Sequence, residues 1–361
     1  MSSDKTSLSV DDRVAEKIVN DSIKKVDGRY MLRMPFRTPP NSIPNNRSMA
    51  ESRMKHLQRK LQRDATLREG YVKTLESYIK EGYARKVSPQ ELADDTRTGL
   101  WYIPHHAVVN PKKPGKVRVV FDCAAKYSGK SINDHLYTGP DILNTLLGIL
   151  LRFRQEPVAV VADVEAMYHR VLVYPEDQRF LRFLWWDAGD LTKPPSTYCI
   201  VVQVFGAGPS GYNANTALRR CADDGIGRYD TDVITAVHRN FYVDDFITSV
   251  ADVPTAIRFV SQISRLLSEG GFRLHKWLST SRAVIKTVPE SERAGSIKQI
   301  TNDTELPLDR ALGINWNVQR DSFVFDVDLK EKAKSVPTTK RRCSLSQHPC
   351  LILLAFCHLF F

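Results

Sequence analysis

Phe241-Tyr-Val-Asp-Asp-Phe-Ile-Thr248 sets two adjacent carboxylates between two apolar arms, the pattern of a β-hairpin with an acidic tip. Pro157-Val-Ala-Val-Val-Ala162 is a continuous apolar run, so it reads as a buried strand, and Asp163 ends it. A strand this apolar does not tolerate a carboxylate in its interior, which puts Asp163 at an end. Adjacent side chains of a straight strand face opposite ways, but at a turn Asp244 and Asp245 can converge on one cation. Three carboxylates in a small space repel one another and shift their pKa values unless counter-ions are present. Hard divalent cations answer that need, and Mg²⁺ keeps positions open for substrate phosphates. Two such ions about 3.5–4 Å apart stabilise the attacking and leaving oxygens of a phosphoryl displacement. The plain alternative makes Asp163 a strand-end cap and Asp244-Asp245 an Asx turn. A turn needs one Asp, however, and this one has two.

Outward from this pair, strands and helices interleave without a regular βαβ rhythm, which favours an α+β fold. Ala107 to Phe121 reads as strand, turn and strand, with basic residues at the tip and on one face of the second strand. Ile142 to Leu151 reads as a helix, Arg179 to Trp186 and Tyr198 to Val204 as strands, and Phe205 to Gly211 as a glycine-rich turn into a helix from Tyr212. Thr255 to Glu269 is an amphipathic helix stopped by Gly270-Gly271, with strands expected over Phe272 to Leu278, Leu312 to Val318 and Phe323 to Val327. Upstream, Ser48 and Glu51 fit a capping box for a helix carrying Met54, Leu57 and Leu61, ringed by Arg53, Lys55, Arg59, Lys60 and Arg63. That basic face suits a phosphate backbone, and a merely solvated face has equal standing. Residues 1–45 are polar and close on a Pro- and Asn-rich stretch, so they read as an extended, disordered leader or linker.

With 42% hydrophobic and 9% aromatic residues, the 361-residue chain can bury a sizeable core. Its 52 Lys and Arg against 41 Asp and Glu leave a net charge of +11, a bias towards polyanions such as nucleic acid. The first twenty residues have no apolar core of an export signal, and the apolar run Leu351 to Phe361 falls short of the ~20 residues that span a bilayer. Scattered cysteines fit a reducing compartment. A soluble, intracellular, cytoplasmic protein is expected. Two other motifs fail: Ser128-Gly-Lys-Ser131 has Ala124 where a phosphate-binding loop needs its first glycine, and Cys343, Cys350 and Cys357 lack zinc spacing.

Tyr242-Val-Asp-Asp245 resembles the signature hairpin of reverse transcriptases, and Asp163-Val-Glu-Ala-Met-Tyr168 is similar to their first palm motif. Pro104 to Ala124, Leu136-Tyr-Thr-Gly-Pro-Asp141 and Leu312-Gly-Ile-Asn-Trp-Asn317 look specifically like the BEL/Pao group of LTR retrotransposons. The resemblance runs from about Tyr30 to Arg342, and its strength lies in several ordered motifs at sensible spacing.

The resemblance implies a right-hand polymerase domain over 46–330, with fingers at about 99–135 and 171–208 and palm at about 136–170 and 209–328. The thumb would be largely missing. It implies RNA- or DNA-templated nucleotidyl transfer to a primer 3′-OH, as part of a Pol polyprotein, with primer-template nucleic acid and dNTPs as partners and a possible place in virus-like particles. Asp163, Asp244 and Asp245 would hold two Mg²⁺ ions, with Mn²⁺ as a substitute. Tyr168 would lie under the incoming sugar and exclude a 2′-hydroxyl. Lys116 and Arg118 would meet the triphosphate, Phe205 and Gly206 would flank the nascent base pair, Tyr242 would belong to the signature hairpin, and Lys276 would stand near the triphosphate. Two departures stand out: the proline of Ala207-Gly-Pro-Ser-Gly-Tyr212 comes early for the family, and His169 follows Tyr168. From Cys343 to Phe361 the chain stops resembling the family. A back-translation regrouped by one nucleotide resembles the family's continuation, which implies a frameshifted tail. Two rival functions remain open: a catalytically silent relic that only binds nucleic acid, and a metal-dependent phosphodiesterase, for which no histidine or lysine is evident beside the Asp pair.

Overall fold

Val158 to Val164 is apolar enough to be covered on both faces, and the rest of the fold supplies that cover. The computed structural model describes residues 8–93, 98–109, 117–298, 308–312 and 314–324. In chain order these form α1 (Val10–Ser22), β1 (Lys24–Val26), β2 (Arg29–Leu32), α2 (Arg47–Arg63), α3 (Ala65–Lys80), β3 (Ala84–Lys86), α4 (Pro89–Ala93), β4 (His105–Val109) and β5 (Val117–Phe121). Next come α5 (Leu146–Phe153), β6 (Val158–Val164), β7 (Leu172–Val173), β8 (Arg182–Trp185), β9 (Ser196–Ile200), α6 (Ser210–Asp224) and α7 (Thr231–Arg239). The remainder are β10 (Phe241–Tyr242), β11 (Asp245–Val250), α8 (Val253–Glu269), β12 (Leu274–Ser279), α9 (Arg282–Thr287), β13 (Leu308–Ala311), β14 (Ile314–Asn317) and β15 (Ser322–Val324). The mixture is α+β, as the sequence leads one to expect.

Two units divide the chain at Pro307 and Leu308. In the first, the central sheet runs β10-β11-β6-β12, with β6 antiparallel to both neighbours. Phe246, Ile247, Phe259, Ile263 and Leu266 are buried, which places the apolar stripe of α8 inside the core. Asp252 caps α8 by accepting from Thr255 N–H at 2.8 Å, and Gly271 (φ +80°) ends the turn that follows it. A second sheet, β3-β9-β8, joins α2 and α3 in a core that buries Trp101, Phe183, Trp185 and Trp186. The hairpin β4–β5 is a two-stranded sheet whose Val119 and Phe121 enter the same core. In the second unit β13, β14 and β15 form an antiparallel sheet in which Trp316 donates Nε1–H to Asp321.

Four expectations change. The segment before Asn46 is not an extended leader from residue 9 onward. Ser9 and Asp12 form a capping box on α1, and Asp27-Gly28, both at positive φ, make the two-residue turn of the β1–β2 hairpin. Tyr30, Leu32 and Met34 alternate into the core, and β2 pairs in parallel with β7, so apolar periodicity outweighs the polar composition. The capping box read at Ser48 does not form either. Asn46 stands at the helix start, and its fully buried amide exchanges two hydrogen bonds with the Tyr102 backbone, at 2.8 and 2.6 Å, while Glu51 pairs with Arg47. Helix α5 begins at Leu146 rather than Ile142, because Thr145 caps it. The strands expected from Leu312 and Phe323 shift to Ile314–Asn317 and Ser322–Val324. The tail from Cys343 lies outside the described residues. No helix among the described residues is long and apolar enough to cross a membrane.

Candidate active site

The two acidic motifs, 81 positions apart in sequence, meet because β6 and β11 pair in register. Asp245 lies directly opposite Asp163, followed by Phe246 opposite Ala162 and Ile247 opposite Val161. Directly opposed residues on antiparallel strands stand about 4.5–5.5 Å apart at Cα, so their side chains share one face. Asp244 occupies the tight turn between β10 and β11, where Tyr242 pairs with Asp245. Its carbonyl accepts from Val164 N–H at 2.8 Å, which clamps the turn against the end of β6. Val243 supplies the turn at φ +57°, a conformation a β-branched residue adopts only at a cost.

Burial, then the neighbouring carboxylates, push Asp245 up to about 6; Asp244 is also raised, first by burial and then by the charge of Asp163. The mutual repulsion anticipated from sequence is therefore present at the pair. Relief comes from across β12. His275 lies opposite Asp163 and its Nε2 is 2.8 Å from Oδ1, while Lys276 donates from Nζ to Oδ2 at 2.8 Å. Neither partner is apparent from sequence, where Asp163 and His275 are 112 positions apart. Arg273, His275 and Lys276 all follow the Gly270-Gly271 turn, and only the resemblance singled out Lys276, for the triphosphate rather than for Asp163. The fold thus sets a histidine and a lysine on Asp163, and neither is hydrogen-bonded to Asp244 or Asp245 among the contacts of the described residues.

Tyr168 follows β6 on a short 3₁₀ turn entered through Ala166 at φ +51°. Its ring packs edge-on against Phe205, with centroids 4.2 Å apart, and Phe205 is half exposed. Burial raises the Tyr168 hydroxyl's pKa, with a further contribution from the charge of Asp244. Gly206 sits at φ +100°, and a Cβ there would come within 3.2 Å of the Phe121 carbonyl. Asn133 fastens this turn from both sides, donating to Gly206 O and accepting from Gly208 N–H, each at 2.9 Å. Sequence reading gave Asn133 no role. His169 turns away from the acids into the core, where it stacks on Tyr83 and burial lowers its pKa to about 4.

A cavity of about 230 Å³ adjoins the acidic turn, lined among others by Gly139, Asp141, Tyr168, Tyr212 and Val243. It joins the Thr-Gly-Pro-Asp stretch to the catalytic candidates. Arg118 is exposed on β5, opposite Val108 in the neighbouring strand. Lys116 lies outside the described residues. The structure thus gathers Asp163, Asp244, Asp245, Tyr168, Tyr242, Phe205 and Lys276 around the ends of β6 and β11, with Gly206 in the adjoining turn.

Three carboxylates at the ends of paired strands are the oxygen donors a hard divalent cation prefers. Among the described residues, however, no group of three His, Cys, Asp or Glu side chains is drawn together as a ready metal cluster. At Asp163, His275 and Lys276 hold one oxygen each. The donor set fits in kind, while one of its members is held by a lysine.

No protein-family model matches the chain, and no curated protein matches it. Among solved structures, the chain is similar to a foamy viral protease-reverse transcriptase in complex with double-stranded DNA, at 12% identity and a TM-score of 0.40, over 66% of this chain. It is also similar to the native protease-reverse transcriptase of prototype foamy virus, at 15% identity and a TM-score of 0.39, over 55% of this chain. The chain spans 34% and 22% of the lengths of those two proteins.

Proposed function

We propose that this chain is a reverse-transcriptase-type polymerase domain of right-hand architecture, catalysing template-directed nucleotidyl transfer from dNTPs to a primer 3′-OH. One observation carries the reading: Asp163 of one motif and Asp244-Asp245 of the other meet on paired strands, with Tyr168 beside them. The ordered motifs that resemble BEL/Pao polymerases support the subtype. Asp163, Asp244 and Asp245 would hold divalent cations, Mg²⁺ by preference, which supply charge neutralisation at the reacting phosphate when bound. The chain's own groups do the rest. Arg118, exposed on β5, would pair with triphosphate oxygens, and Phe205 offers its half-exposed ring to a base. Tyr168, braced edge-on by Phe205, would stand where a ribose 2′-hydroxyl must not.

Purified protein incubated with primed template, dNTPs and Mg²⁺ tests the reading: extension supports it, duplex retention without extension favours the silent relic, and cleavage favours the phosphodiesterase. Tyr168→Val is expected to raise incorporation of ribonucleotides relative to deoxyribonucleotides by about tenfold or more, since removing a steric block is worth roughly 1–3 kcal/mol. An unchanged ratio would make Tyr168 a packing residue.

Nucleic-acid binding has a second expected support. Lys55, Arg59 and Arg63 recur every fourth residue along the exposed face of α2, and none of the three stands in an ion pair with another described residue. Each phosphate neutralised contributes about 0.9 to the slope of log affinity against log salt. Replacing all three by Glu is therefore expected to flatten the slope by about 2–3 in a fluorescence-anisotropy titration of duplex. An unchanged slope would leave the stripe as a solvated surface.

A further inference from the structure

Strand β12 breaks its register with β6 between His275 and Leu278, immediately beside Asp163. In a regular strand His275 and Lys276 would face opposite sides of the sheet. Lys276 instead adopts φ +55°, a left-handed conformation that a non-glycine residue holds only under constraint. The bulge re-aims its side chain, so two consecutive residues reach the same carboxylate. His275 takes Oδ1 and Lys276 takes Oδ2, each at 2.8 Å. The Lys276 side chain is 58% exposed against 22% for Asp163, so the ammonium arrives from the solvent side and has a path to leave by.

Resting on the reading of Asp163 as a cation ligand, we infer that Lys276 is a tethered counter-ion that competes with the divalent cation for Oδ2. Its ammonium offsets part of the repulsion among the three carboxylates while no ion is bound, so the strand ends stay together without metal. Cation binding must then displace Lys276 from Oδ2, while His275 keeps hold of Oδ1 and maintains the carboxylate's orientation. The arrangement weakens binding of metal alone, because each ion that enters breaks an existing ion pair.

The test is Mn²⁺ titration of the full chain without nucleic acid or nucleotide, following free Mn²⁺ by electron paramagnetic resonance. Lys276→Met is expected to bind Mn²⁺ about tenfold more tightly than the wild type, since the competing charge is lost. Lys276→Gly, which also relieves the positive φ, is expected to match it and guards against a folding artefact. Lys276→Arg is expected to stay near wild type, because a guanidinium can hold the same oxygen. Arg273→Gln removes a nearby positive charge that pairs with Glu165 and Glu292 rather than Asp163. A rise there as large as in Lys276→Met would reduce the effect to the general field and overturn the inference. So would equal affinity in wild type, Lys276→Met and Lys276→Gly while Asp163→Asn loses binding. If Asp163→Asn keeps wild-type affinity, or if no form binds Mn²⁺, the cation-site reading itself falls and the inference with it.

Discussion

Asp244→Asn is expected to lower primer extension by about 10³-fold or more, while affinity for primed duplex and the melting temperature stay close to wild type. The scale is that of removing one charged group from a preorganised site that stabilises developing charge. The substitution removes one charge from the acidic turn but keeps the side chain's shape. The turn itself is held by the Asp244 carbonyl, which accepts from Val164 N–H and is untouched by the change. Relief of repulsion works in the same direction, because burial and Asp163 already raise the pKa of this carboxyl in the folded chain. Single-turnover extension, duplex anisotropy and thermal unfolding on one preparation check the three parts together. Extension that persists in Asp244→Asn would remove the two-carboxylate turn from the chemistry. A fall in melting temperature with lost extension would make Asp244 structural.

Gly139→Ala is expected to destabilise the chain by about 2–4 kcal/mol, among the larger costs of any single methyl group, because overpacking and backbone strain add. Gly139 sits at φ +83°, and a Cβ there would lie 2.5 Å from Tyr212 Cδ1 and 2.6 Å from Cγ, well inside contact distance. Tyr212 is buried on α6 and cannot swing clear without disturbing the wall of the cavity beside Tyr168 and Val243. Denaturant unfolding reads the loss as a lower midpoint at constant slope. Leu143→Ala, on the same cavity but 38% exposed, is the control and should cost far less. Equal, small effects at both positions would mean that Tyr212 relaxes freely and that the Thr-Gly-Pro-Asp stretch is not wedged against α6.

Local chemistry was legible in the residues themselves. A run as apolar as Val158 to Ala162 can only be a covered strand, and Phe241 to Thr248 can only place its two carboxylates at a tip, because burying either charge would cost too much. Burial logic therefore placed Asp163 at a strand end and Asp244-Asp245 at a hairpin tip, while their joint role, and any role for Tyr168, came from the resemblance of the ordered motifs. The Asp27-Gly28 turn and the Ser9–Asp12 capping box carried local signals too, but the polar composition of the first 45 residues masked them.

What stayed hidden was everything set by pairing between distant strands. Register decides which residue stands opposite Asp163, and register depends on how β6, β11 and β12 bury their apolar faces together. Only the folded sheet puts His275 beside Asp163, and only the bulge at Lys276 turns a second basic side chain onto the same face. Asn46 shows the same division: its sequence neighbours suggest a helix start a residue or two later, while the fold gives its amide to the Tyr102 backbone 56 positions away. The sequence alone determined the kind of strand, the acidic tip and the donors, since those follow from period and charge. The tertiary structure decided which partners those donors have, since a carboxylate's neighbours are chosen by long-range packing that no local pattern encodes.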